Sequence, residues 1–147
     1  MLNDVELKLA TNKNALSIYM MRNEKSTREN SVNSKKIKLI EHLKWYIKAQ
    51  KNEKIKIYVV CKKSKIIGYC RLNICGDVGT ISYCIKRKYR NNNYGSVSLE
   101  LLEKKAENVK EFNAVVKKNN IPSIKVFRKL GYTEKEGNDF LEFYKVL

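Results

Sequence analysis

The chain has 147 residues, 43% of them hydrophobic and 31% charged, which suits one domain over residues 1–147 and excludes both a disordered chain and a pair of full cores. No stretch approaches the roughly 20 apolar residues of a membrane helix. The acidic start over residues 1–10 reads as a strand and not as a secretory signal, so a cytoplasmic protein without a membrane partner is expected. The formal net charge of +16 attracts polyanions. Its lysines are spread along the whole chain and only six of the 31 basic residues are Arg. That distribution favours a solvated surface with mild steering of phosphorylated ligands over a dedicated nucleic-acid face.

Residues 5–9 alternate apolar and polar side chains, a strand signal. Thr11 is placed to cap a short helix carrying Leu16, Ile18, Tyr19 and Met20, and residues 22–34 are polar and read as a loop. Ile37, Ile40, Leu43, Tyr46 and Ile47 then recur at helical spacing, which predicts an amphipathic helix to about residue 50. Three strand runs follow, over residues 55–61, 66–74 and 78–85, joined by short polar turns as an antiparallel meander. A basic loop over residues 86–93 leads into a helix from Gly95 to about Glu107, with Leu99, Leu102 and Ala106 on its buried face. A strand over residues 111–116, a helix over 122–130 ended by Gly131, and a hairpin around Gly137 and Asn138 complete the chain. The order predicts a mixed α/β domain of the α+β type, without linker or repeat.

Cys61, Cys70, Cys75 and Cys84 lack the paired spacing of a zinc site, and the single histidine, His42, lies far upstream. Three of the four sit in strand-like runs, so reduced core thiols and no metal are expected.

Chemistry concentrates in Ile81-Ser-Tyr-Cys-Ile85 and Arg90-Asn-Asn-Asn-Tyr-Gly-Ser96. A strand enters a tight loop that opens straight into a helix N-terminus, where backbone N–H groups and the helix dipole favour a pyrophosphate. Gly95 permits close approach, and Asn93 is of a type that tolerates positive φ. This stretch resembles the cofactor signature Arg/Gln-x-x-Gly-x-Gly/Ala of the GNAT acetyltransferases, with Asn93 in place of the first glycine. A second segment, Asn120-Ile-Pro-Ser-Ile-Lys-Val-Phe127-Arg-Lys-Leu-Gly131-Tyr132, is similar to the later signature of the same family. Locally, Asn120 caps a helix and Pro122 sits in its first turn.

The resemblance implies a GNAT-like, mostly antiparallel sheet of about six to seven strands flanked by about four helices, and acetyl-CoA as acyl donor. It implies that the backbone of Cys84 and Ile85 pairs with the pantetheine arm. Arg90, Asn92, Asn93, Tyr94, Gly95 and Ser96 would surround the pyrophosphate, with Asn120, Ser123 and Phe127 completing the donor site. The stretches Met21-Arg22-Asn23, Ser31-Val-Asn33-Ser34 and Glu41-His42-Leu43-Lys44-Trp45-Tyr46 resemble the nucleotide-sugar N-acetyltransferases of the pseudaminic acid pathway, which act on the 4-amino group of a UDP-linked amino sugar. Ribosomal-protein N-terminal acetyltransferases share much of this half, so a protein N-terminus is the alternative acceptor. A nucleic-acid-binding module is more remote, because aromatic and basic residues form no shared reading surface. Assembly as a homodimer stays open.

An acetyl thioester needs an aligned neutral amine, oxyanion stabilisation and a route for protons. In the family a strand carboxylate often serves as base and a tyrosine as acid, but the matching positions here are Thr80 and Phe127. His42 and Tyr83 remain as catalytic candidates, His42 because an imidazole titrates near neutral pH. Water acting as base is equally tenable. Arg22, Asn23 and His42 are expected to line the acceptor pocket, Arg22 meeting a phosphate or carboxylate.

Overall fold

The computed structural model describes residues 4–147, so the first three residues of the acidic N-terminal stretch lie outside it. Strand β1 (Val5–Leu9) leads through a 3-10 turn over Asn12–Asn14 to helices α1 (Ala15–Asn23), α2 (Lys25–Glu29) and α3 (Leu39–Lys51). Strands β2 (Ile55–Lys62), β3 (Lys65–Cys75) and β4 (Val78–Ile85) form the meander. Helix α4 (Tyr94–Lys105), β5 (Glu111–Lys117), α5 (Ile121–Lys129), β6 (Thr133–Glu136) and β7 (Phe140–Val146) follow. The seven strands make one sheet in the order β1-β2-β3-β4-β5-β7-β6. Every pairing is antiparallel except that of β4 with β5.

The caps account for several boundaries. Thr11 accepts from the Lys13 N–H while Asn14 bonds back to the Thr11 backbone, closing a capping box around the 3-10 turn. Asn120 accepts from the Ser123 N–H at the start of α5, and Gly131 follows that helix with φ +84°, a conformation costly for other residues.

Both faces of the sheet are covered. On one side, Leu99 and Leu102 of α4 and Ile124 and Phe127 of α5 pack on Val60, Ile67, Leu72, Ile81, Phe112 and Phe143. On the other, Ile18 and Met21 of α1 and Tyr46 and Ala49 of α3 cover Ile57, Val59, Cys61 and Cys84. Each fully buried large side chain contributes about 1.5–3 kcal/mol relative to exposure. The two-sided cover explains why β2 buries Val59, Val60 and Cys61 in succession where a one-sided strand would alternate.

Three expectations need correction. The polar segment 22–34, read as a loop, contains α2, so the described residues hold five α-helices around the expected sheet. No residue of α2 is buried, so no apolar period announces it. The buried face of α3 is His42, Tyr46 and Ala49, whereas Ile40 and Ile47 are exposed at 66% and 53%. All four cysteines are free, but Cys75 at the end of β3 is exposed and only the other three are core thiols.

Candidate functional site

The site begins where the sheet opens. Strands β4 and β5 pair only through Val78–Glu111, Gly79–Phe112 and Thr80–Asn113. Beyond Thr80 they part, leaving the second half of β4 with an uncovered side. Thr80 closes the crotch by donating from its hydroxyl to Asn113 Oδ1 at 2.6 Å. It is a joint between strands, and no carboxylate stands there.

A cleft of about 500 Å³ runs from this opening to the N-terminus of α4, lined by Tyr83, Cys84, Ile85, Asn93, Gly95 and Ser96 among others. Its loop is shaped by two left-handed residues, Asn91 at φ +64° and Asn93 at φ +65°. Asparagine accepts that conformation better than most side chains, and Asn93 takes it where the family signature has glycine. The consequence is a ring of free donors. Among the described residues, the N–H groups of Asn91 to Ser96 donate to no protein acceptor; the first bond of α4 into the loop runs from Val97 N–H to Asn93 C=O at 3.2 Å. Converging N–H groups at a helix start make an anion cradle. Lys125 and Lys129 add positive charge on the facing helix. The residues present fit a pyrophosphate.

Gly95 has a further reason to be glycine. A Cβ there would lie 3.2 Å from Tyr83 Cε2 and 3.6 Å from Val126 Cγ2, so the missing side chain makes room for the Tyr83 ring. Tyr83 reaches past it to Ser123, with hydroxyl and Oγ 2.8 Å apart. Burial raises the phenol to about 12, against the opposing hydrogen bond with Ser123. It stays protonated throughout the physiological range.

A second cleft of about 400 Å³ continues from the first, sharing with it Thr27, Asn30, Ser31, Tyr83, Asn120 and Ser123. Its charged lining is basic: Arg22, Lys35 and Arg71, with no Asp or Glu. Both arginines lie against the ring of Trp45, Arg22 Cζ at 4.6 Å and Arg71 Cζ at 5.4 Å from its centroid. Arg71 also donates to Ser82 Oγ at 3.3 Å.

The sequence candidates divide accordingly. Cys84, Ile85, Asn93, Tyr94, Gly95, Ser96, Asn120 and Ser123 line the first cleft together, whereas Phe127 lines the second. Asn92 is outside both walls, its side chain donating to the carbonyls of Tyr89 and Arg90. Arg90 lines the first cleft, but its guanidinium is turned to α2 and bonds Ile85, Ser26 and Thr27. Asn23 is a brace: it receives the Ile37 N–H and donates to the Ile37 carbonyl, fixing the loop after α2.

His42 is the main correction. It is 1% exposed, enclosed by Tyr19, Trp45 and Tyr46, and absent from both cleft walls. Its Nε2–H donates to the Ala15 carbonyl at 2.8 Å, and Nδ1 accepts from Arg22 Nη1 at 3.1 Å. Burial, with a smaller contribution from the Arg22 charge, holds its pKa below the usual imidazole value although the Ala15 bond opposes this. It is a neutral core histidine that steadies Arg22.

Sequence reasoning missed Tyr69, Arg71, Ser82, Thr27, Asn30 and Ser31 as cleft residues. Arg71 carried a usable signal, a lone arginine inside the run Ile66 to Ile74. The α2 residues carried none.

The model of the acetyltransferase (GNAT) family matches residues 17–132. No curated protein matches the chain in sequence. Among solved structures, a domain from Methanocaldococcus jannaschii is 18% identical, with 97% of this chain and 98% of that chain covered and a TM-score of 0.87. A spermidine N-acetyltransferase from Vibrio cholerae, in complex with CoA and spermine, is 12% identical over 98% and 96% of the two chains, with a TM-score of 0.88. A ribosomal alpha-N-protein acetyltransferase in complex with coenzyme A is 15% identical over 98% and 94%, with a TM-score of 0.83. At these identities the likeness speaks for the fold, while the family model spans most of the chain, and with it the splayed strands and the loop before α4: this chain belongs to the GNAT acetyltransferase family.

Proposed function

We propose that the chain transfers the acetyl group of acetyl-CoA to a primary amine on an anionic acceptor, a nucleotide-linked amino sugar. One observation carries the acceptor class: the second cleft is lined by Arg22, Lys35 and Arg71 and by no carboxylate. A polycation such as spermidine would meet three like charges there, whereas a diphosphate would be drawn in. Arg22 and Arg71, both packed against Trp45, present planar donors suited to phosphate oxygens.

Bound acetyl-CoA would supply an already activated acyl group. The chain's own residues then have modest tasks. The free N–H groups of Asn91 to Ser96 hold the pyrophosphate, and the uncovered half of β4 beyond Thr80 offers backbone partners to the pantetheine amides. Tyr83, protonated and hydrogen-bonded to Ser123 where the clefts meet, donates toward the departing sulfur. The cationic lining favours the neutral form of an incoming amine, which is the nucleophilic one. With Thr80 unable to accept a proton and His42 enclosed, water is the base.

The test is CoA release with purified protein and a panel of acceptors: UDP-linked 4-amino sugars, peptides with free N-termini, and spermidine. The expected result is the highest kcat/KM for a UDP-amino sugar, with most of it lost when the diphosphate is removed. Preference for spermidine or a peptide would overturn the acceptor assignment.

A further inference from the structure

Helix α2 forms part of the wall common to both clefts through Thr27, and the turn after it adds Asn30 and Ser31. Yet it has five residues and buries none of them. So short a helix has no stability of its own in water. What seats it is a set of polar ties at its two ends. At the N-terminal end, Arg90 donates from Nη1 to Ser26 Oγ at 2.7 Å and from Nη2 to Thr27 Oγ1 at 3.0 Å. Its Nη2 also lies 3.6 Å from Glu24 Oε2, and its Nε donates back to the Ile85 carbonyl at 2.9 Å. Glu24 caps the helix by accepting from the Thr27 N–H at 3.0 Å, and the Ser26 hydroxyl donates to the same carboxylate. At the other end, Lys117 Nζ donates to the Glu29 carbonyl at 3.0 Å.

Arg90 occupies the basic position that opens the donor-loop signature, where a role against phosphate would be the obvious assignment. Its guanidinium instead has all three nitrogens engaged by Ile85 and α2. We propose that Arg90 is a positioning residue for the acceptor: it fastens α2 to the donor loop and so builds the wall that the two clefts share. The proposal rests on the reading of residues 90–96 as the donor loop. A planar group with three nitrogens is needed, because the ties to Ile85, Ser26 and Thr27 diverge from one centre. A lysine keeps the charge and supplies a single nitrogen.

The experiment compares the parent with Arg90→Ala and Arg90→Lys by hydrogen exchange, CoA titration and steady-state kinetics. Without ligand, amides 27–31 should exchange at least tenfold faster in both variants while those of β3 and β4 keep parental protection. The Kd for CoA should change less than threefold. With a UDP-linked amino sugar as acceptor, its KM should rise about tenfold in both variants, the KM for acetyl-CoA staying within threefold. Parental exchange at 27–31, or recovery of the acceptor KM by lysine, would overturn the anchor. A CoA Kd raised tenfold or more would also overturn it, by making the guanidinium a phosphate ligand. A parent chain that failed to bind CoA would instead sink the donor reading, and the ligand-free exchange would still decide on Arg90.

Discussion

Replacing His42 with alanine separates a core histidine from a catalytic one. The ring is 1% exposed and its centroid lies 5.3 Å from that of Tyr19, 5.9 Å from Trp45 and 5.8 Å from Tyr46. Truncating a buried ring of this size, smaller than that of Phe, leaves a cavity costing about 2–3 kcal/mol, in the lower part of the range for Leu-sized deletions. Loss of the 2.8 Å bond to the Ala15 carbonyl adds about 1 kcal/mol. The Arg22 nitrogen freed at the same time lines a cleft and can turn to water. The sum, about 3–4 kcal/mol, corresponds to a fall in Tm of about 10 °C for a domain of this length. There is a pH signature as well. A histidine whose native pKa is depressed binds its proton more readily when unfolded, so its stabilising contribution is present above about pH 6.5 and is lost as pH falls through the lower native value. Scanning calorimetry from pH 5 to 8 should therefore show a parental Tm that declines toward acid, and a variant with a lower Tm and a shallower decline. Turnover assayed well below the Tm should keep its pH profile. An unchanged Tm together with loss of an acid-side limb in kcat would refute the reasoning and make His42 a proton carrier.

Two further substitutions probe the donor side. Gly95→Val should weaken acetyl-CoA binding at least tenfold by calorimetry with the circular dichroism spectrum preserved, since its Cβ would already stand 3.2 Å from Tyr83; parental affinity would mean the loop is misassigned. Tyr83→Phe should lower kcat about 100-fold with the acetyl-CoA Kd within twofold, on the scale of a lost acid catalyst, and an unaltered kcat would remove Tyr83 from the chemistry.

The strands were legible because local rules wrote them: β4 has the predicted limits, and Asn120 caps α5 as expected from a side chain that accepts backbone N–H groups, whereas Thr11 caps the 3-10 turn ahead of α1 and not that helix itself. The loop before α4 was legible for the same reason, since a strand, two left-handed asparagines and a helix start lie within one short stretch. The second cleft was not. Its wall comes from α1, α2 and the loop after it, β3, β4, β5 and α5, brought together only by tertiary structure. The face of α3 was misread because Ile40 and Ile47 outweigh His42 and Ala49 on any hydrophobic count, yet a neutral imidazole with both nitrogens bonded packs as well as an apolar ring. The bonds of Arg90 to Ile85, Ser26 and Thr27 were not legible, because a phosphate and a helix end attract the same guanidinium.

The three-residue ladder between β4 and β5 has a mechanical meaning. It divides the sheet into a four-stranded and a three-stranded panel, and the core under α1 and α3 draws no residue from the smaller one. Of the two apolar cores, the panels share the one beneath α4 and α5, so the sheet is hinged along one side like a book along its spine. A ligand lying along β4 would act as binding thread as well as reactant. Gentle denaturant or pulling force should part the domain along that line first, and a filled donor cleft should make that parting harder.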